Sequence, residues 1–174
     1  MGESIWAYTA LCQGRPTPWW HIDFPLLNYR VPGWIAWGER MQGLLYWGGM
    51  SYWEAVDDPW LTAPAYAGRG RIQQGDKGLI FQGEGSLVYP ARAVGYEGIV
   101  PTVRLKALRD GIEDFEYLAI LERLGKRPAT EKIVRRLTES WFHWEKDPAV
   151  YDRARAELAG IIVGAVAENR KFGK

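Results

Sequence analysis

The apolar positions of this chain fall in short runs separated by glycine and proline, and only the last third carries long helical periodicity. Residues 4–11 (SIWAYTAL) are apolar and aromatic with no internal breaker, which predicts a buried strand. Residues 13–20 hold Gly14, Pro16 and Pro18 and read as a loop. After Pro32 and Gly33, residues 34–41 (WIAWGERM) predict a short amphipathic helix, with Gly43 as its C′ residue. Residues 44–47 (LLYW) predict a second strand, closed by Gly48 and Gly49. Residues 50–78 then form a long connection, a length usually reserved for functional loops. Residues 79–82 and 86–89 are strand-like, and the second, ending at Pro90, is the better third strand of a parallel set.

The pattern changes at Pro101. Pro101 or Thr102 supplies a helix start, and Leu105, Leu108, Ile112, Phe115 and Ala119 recur at steps of three and four. Gly125 is the stop. On that helix Arg109 and Glu116 lie beside the apolar stripe and Arg104 on its other edge, while Lys106, Asp110 and Asp114 point away. Arg109 and Glu113 are spaced to pair, and Arg109 is expected to be partly buried. Thr130 is the expected cap of a further helix with Ile133, Val134, Leu137, Trp141 and Trp144 inward. Asp147 and Pro148 cap and open a last helix with Tyr151, Ala154, Leu158, Ile161, Ile162 and Ala165 on one face. Strands alternating with helices predict an α/β fold with a parallel sheet. The expected architecture is a partial (β/α) TIM-barrel-like unit over residues 1–125, followed by a helical hairpin over 126–174 packed on it. Three strands would form an incomplete wall, with aromatic tips at one rim.

Length sharpens this picture, because a closed eight-fold barrel needs about 250 residues and the chain has 174. The net charge of +1, with both signs interspersed, argues against a nucleic-acid stripe or a polybasic membrane patch. No run approaches the length of a membrane span, and no signal peptide is visible. The single cysteine, Cys12, permits no internal disulfide, and no metal-ligand spacing occurs. No cofactor motif is present either: the glycines around Arg69 and Glu84 do not sit between a strand and a helix as a phosphate cradle requires.

Ten tryptophans and nine tyrosines are many for this length. Flat aromatics fill cores, and they also stack on the C–H faces of sugars. Trp6, Trp34 and Trp37 are expected in the core. Tyr8, Tyr46, Trp47, Trp53 and Trp60 fall at strand ends or in the long loop, where core packing and ligand contact are both open. Arg104, in the first turn of its helix, either joins an ion-pair network or reaches a ligand hydroxyl or carboxylate. Asp23, Glu54, Asp57, Asp58 and Glu84 are the carboxylates available for acid–base work, and none sits at an obvious strand end. His21 and His143 are far apart in the sequence.

Five motifs in order resemble a known family. They are residues 2–9 (GESIWAYT), 22–25 (IDFP) with Arg30 and Trp34 downstream, 43–47 (GLLYW), 85–90 (GSLVYP) and 105–118 (LKALRDGIEDFEYL). Together they resemble the family of domains of unknown function numbered 4091, the C-terminal part of the catalytic barrel of glycoside hydrolase family 123-like proteins. The resemblance implies removal of terminal N-acetylgalactosamine by a neighbouring-group mechanism, in which an adjacent Asp-Glu pair assists the substrate's acetamido oxygen. No Asp-Glu dipeptide occurs in this chain, so no catalytic role carries over to a residue here. What does carry over is a sugar-pocket wall of the strand-end aromatics Tyr8, Tyr46 and Trp47, to which Trp53 and Trp60 of the long loop are added as candidates from the residues alone. The expected partners are a carbohydrate and either a second copy or an N-terminal barrel segment that covers the open sheet. The other readings are a stand-alone carbohydrate-binding module and a structural or assembly domain.

Overall fold

The structure, a computed structural model, describes residues 3–10, 13–14, 16–46, 50–51, 58–61, 65–67, 80–83 and 85–172. It is a mixed α/β fold of four α-helices and small two-stranded sheets. Strand β1 (Trp6–Thr9) leads through an irregular segment into helix α1 (Leu27–Gly38) and back to β2 (Gly43–Tyr46). β1 and β2 pair in parallel, Trp6 opposite Gly43 and Tyr8 opposite Leu45. This is the expected strand–helix–strand unit.

The third strand differs from expectation. β3 (Ala65–Ala67) and β4 (Ile80–Gln82) form an antiparallel ribbon, and β5 (Val88–Pro90) pairs antiparallel with β6 (Ile99–Pro101). Among the described residues β5 does not join β1 and β2, and no closed barrel forms. A turn of 3-10 helix (Ala91–Val94) and Gly95 and Gly98, both at positive φ, fold the chain from β5 straight back into β6. A parallel neighbour needs a longer crossover than that.

Helix α1 begins seven residues before the expected start and runs through Pro32. A proline inside a helix leaves the carbonyl four residues earlier without its donor. Here that carbonyl belongs to Asn28, and the indole Nε1 of Trp20 donates to it at 2.8 Å. The helix ends with Arg40 at φ 58 and with amide bonds from Arg40 to Trp37 O and from Met41 to Ala36 O. That is a Schellman motif with arginine where glycine is usual. Gly43 is therefore no cap: it opens β2, and a Cβ there would lie 2.5 Å from the Trp6 ring.

The remaining helices are α2 (Val103–Arg123), α3 (Arg127–Leu137) and α4 (Pro148–Phe172). Thr102 caps α2 by accepting the Leu105 amide at 3.2 Å, and Gly125 ends it at φ 71. Thr130 lies inside α3 and bonds Lys126 O instead of capping. α3 stops at Leu137, so Trp141 and Trp144 belong to the connection, where Thr138 bridges to Trp144. Asp147 caps α4 as expected, its Oδ1 accepting from the Ala149 amide at 2.9 Å.

One core joins all four helices: Val31, Trp34, Ile35 and Trp37 of α1, Leu118 and Leu121 of α2, Ile133, Val134 and Leu137 of α3, and Tyr151, Ala154 and Leu158 of α4. It spans both sides of Gly125. α1 and α2 approach closely at paired glycines; a Cβ on Gly33 would sit 2.3 Å from Gly111 O, and one on Gly111 would sit 2.5 Å from Arg30 O.

Candidate functional site

Register decides what the parallel pair can present, because alternate residues point to opposite faces. Ala7 and Thr9 are buried, and Leu44 and Tyr46 pack with Trp20, Tyr29 and Leu87 beneath Leu105 and Leu108 of α2. The other face holds Trp6, Tyr8 and Leu45, exposed at 61%, 51% and 44%. One face is thus covered by helices and the other is largely exposed and aromatic. Trp6 departs from the expected core position for this reason.

Tyr46 and Arg104 converge on one turn. The Gly85 amide donates to the Tyr46 hydroxyl at 2.5 Å. Arg104 is buried, and its guanidinium donates to Gly83 O at 2.8 Å and to Ser86 O. Gly83 has φ 76, and a Cβ there would meet Ile22 and Arg104 within 3 Å. Both side chains fix the backbone just ahead of β5. Asp23 is engaged in the same neighbourhood, its Oδ2 accepting from the Gln82 amide at 2.7 Å.

Trp60 sits on a separate groove. Its backbone amide donates to Asp58 Oδ1 at 2.9 Å, its indole Nε1 donates to Pro90 O at 2.8 Å, and its ring lies 5.1 Å from that of Tyr89. It keeps 41% of its surface exposed. Trp47, Trp53, Glu54, Asp57, Glu84 and Cys12 lie outside the described residues.

Sequence reasoning missed two clusters. Asp114, expected to point outward, is fully buried. Its carboxylate accepts from Arg30 Nε at 2.6 Å, from Trp34 Nε1 at 2.7 Å and from Arg155 Nε. Arg155 also donates to Asp110 O at 2.6 Å, and Arg30 to Asp152 at 2.6 Å. Burial opposes the charge on Arg30, but its bonds to Asp114 and Asp152 leave its pKa raised. This ionic hub ties α1, α2 and α4. The available signal was the paired spacing of Arg30 and Trp34, one helical turn apart. The second cluster is Trp19, His21, Phe24 and Phe81. The Trp19 ring lies 4.6 Å from that of His21, edge to face, and 4.9 Å from that of Phe81. Burial lowers the His21 pKa to about 4, against an opposing pull from Asp23. A neutral imidazole in this setting is a core residue.

An apolar cavity of about 290 Å³ lies between α1, β2 and α2, lined by Trp20, Tyr29, Leu44, Leu108, Ile112 and Phe115 among others. Among the described residues no charged side chain lines it. Among the described residues no cluster of potential metal ligands occurs, and no helix is long and apolar enough to cross a membrane.

A parallel strand–helix–strand unit with one helix-covered sheet face is a building block common to α/β folds. The family model "Glycoside hydrolase 123, catalytic domain" matches residues 1–121. The chain therefore belongs to glycoside hydrolase family 123. No curated protein matches it.

Proposed function

We propose that these residues form the C-terminal portion of a glycoside-hydrolase barrel of the N-acetylhexosaminidase type, corresponding to the domain family numbered 4091. The observation that carries this reading is the two-faced β1–β2 pair. In a barrel stave the outer face packs on helices and the inner face points to the barrel interior. Leu44 and Tyr46 take the outer role, and Trp6, Tyr8 and Leu45 the inner one. Tyr8 is then a wall of the sugar pocket, Trp60 lines a groove of its own, and Tyr46 and Arg104 act by holding the backbone of Gly83, Gly85 and Ser86. The helical hairpin of residues 126–174 buttresses the unit from outside.

The acid–base pair comes from another segment of the barrel in this reading. The family mechanism uses an Asp-Glu pair, and this chain has no such dipeptide. Asp23 is held by the Gln82 amide and Asp114 by two guanidinia, so neither is placed to donate a proton to a glycosidic oxygen. The isolated 174-residue chain should leave an aryl N-acetylgalactosaminide uncleaved. Turnover above blank that survives repurification and is lost on Asp23→Asn would overturn the assignment. The bare inner face also requires a cover, either a second copy or an N-terminal barrel segment. Light scattering of the isolated chain at high concentration should find self-association, and a monodisperse monomer would contradict it.

A further inference from the structure

We propose that Lys146, on the connection between α3 and α4, is a site of Nζ-acylation by small activated acyl donors of the acyl phosphate class. The inference goes beyond the barrel reading and stands independently of it.

The connection is a short turn dense in backbone bonds. The Glu139 and Ser140 amides donate to His143 O at 3.0 and 3.1 Å, and the Glu145 amide donates to Leu137 O at 2.7 Å. Thr138 and Trp144 bridge across its base, and Trp144 packs against the helical core. The indole is thereby fixed, and Lys146 Nζ lies over it, 2.7 Å from the ring centroid. Both flanking carboxylates are turned to other partners. Glu145 Oε1 accepts from the Lys146 and Asp147 amides at 2.7 and 2.9 Å. Asp147 Oδ1 accepts from the Ala149 amide at 2.9 Å, and its Oδ2 lies 3.9 Å from Arg153. Among the described residues Lys146 forms no salt bridge, whereas Lys126 pairs with Glu168 at 3.3 Å.

An ammonium seated on a ring gives up part of its hydration, and here no carboxylate replaces it. Two effects oppose each other. The ring quadrupole holds the cation, and the lost water favours the free amine. Desolvation is the larger: it pushes the Lys146 pKa down to about 8. The charged groups of the turn and of the start of α4 are Glu139, His143, Glu145, Asp147 and Arg153, and of these Glu145 pulls the value back up. At pH 7.5 an ordinary lysine is a free amine about one time in a thousand, against about one in four for a group titrating near 8. A less basic amine is a weaker nucleophile, which takes back part of that gain. The residue is exposed, so a small reagent reaches it. The neutral Nζ attacks the acyl carbon, a C–N bond forms, and the C–O bond to phosphate breaks. Phosphate leaves with the electron pair, and Nζ gives its proton to solvent. The product is a neutral amide where a cation had been.

The test treats the complete chain with acetyl phosphate at pH 7.5 and follows each lysine by peptide mass spectrometry. Lys146 should be acetylated at least about tenfold faster than Lys106 and Lys132, which are exposed on helices. Its rate should rise with pH and level off above about 8, while the rates at Lys106 and Lys132 keep climbing toward pH 10. Trp144→Ser, which removes the seat, should bring Lys146 down to the rate of Lys106. Should that variant fail to fold by circular dichroism, the pH profile of the parent chain decides alone. A Lys146 rate within about twofold of the other two lysines, or one still climbing at pH 10, would overturn the site. An unchanged Lys146 rate in folded Trp144→Ser would overturn the part assigned to the indole. The aryl-glycoside and light-scattering measurements judge the hydrolase assignment separately.

Discussion

The helices and the strands of this protein solve the same problem to different degrees. α1, α2, α3 and α4 share a continuous core, and α1, α2 and α4 meet at the Asp114 hub, while the buried Nε1 of Trp37 has no hydrogen-bond partner among the described residues. The strands stand in pairs, and the β1–β2 pair is covered on one face only. The helical layer packs mainly against itself, whereas Trp6, Tyr8 and Leu45 of the strand layer keep 61%, 51% and 44% of their surface exposed. The comparison places stability with the helices, and under the proposed function it leaves recognition to the strands and the loops after them.

The sharpest way to break that division is at its hub. Asp114→Ala leaves the Arg30 and Arg155 guanidinia and the Trp34 indole without their shared acceptor in a nearly dry site. Removing one partner of a buried ion pair costs about 3–5 kcal/mol. The expected result is a fall in the unfolding midpoint of roughly 6–20 °C for a chain of this size, measured by circular dichroism. A midpoint within a degree or two of the parent would mean that the hub does not hold the helices together.

His21 probes the strand side. Its pKa is lowered to about 4 from the ordinary value of 6.5 by burial among Trp19, Phe24 and Phe81. A depressed folded-state value means that the unfolded chain takes up the proton first as pH falls. The contribution to stability is therefore complete above about pH 6.5 and is lost progressively toward pH 4, by up to about 3 kcal/mol. Urea titrations at pH 7.5 and pH 4.5 should differ by an amount that shrinks in His21→Phe. An equal pH dependence in the variant would place the acid sensitivity elsewhere, with the carboxylates of the hub the first alternative.

Gly111→Ala tests the close approach of α1 and α2 directly. The new methyl would fall 2.5 Å from the Arg30 carbonyl, and backbone cannot swing away as a side chain can. Overpacking of this kind costs about 1–3 kcal/mol, partly offset by the better helix propensity of alanine. A gain in stability would show that the helices can separate freely, and the helical layer would then be looser than its core implies.

Legibility from the sequence followed the same division. Helix ends marked by Thr102, Gly125, Asp147 and Pro148 were readable because caps act through neighbours in the chain. The start of α1 was not, since its tolerance of Pro32 depends on Trp20 reaching the Asn28 carbonyl from a loop. Asp114 was misplaced because a helical wheel sorts residues by polarity, and only the fold brings Arg30 and Arg155 to the same spot. The parallel pairing of the first two strands was legible from their alternation with a helix. The antiparallel partner of β5 was hidden in residues 99–101, which carry too little pattern to announce a strand. Among the site residues, the aromatic character of Tyr8 and Trp60 could be read, but the anchoring of Tyr46 and Arg104 to the turn at residues 83–86 could not, because both partners are backbone atoms.

The smallest expected effect is at Arg109, which the helical wheel set at the margin of the core. Its side chain is 63% exposed and pairs with Glu113 at 3.3 Å and Asp110 at 3.2 Å, both on its own helix. Surface pairs of this kind hold two long side chains in one geometry against solvent and salt, and net about 0–0.5 kcal/mol. Arg109→Ala should therefore shift the unfolding midpoint by no more than about 2 °C, with the small difference vanishing in 1 M salt where exposed charges are screened over about 3 Å. A loss comparable to that of Asp114→Ala would mean that the outer flank of α2 is covered in solution.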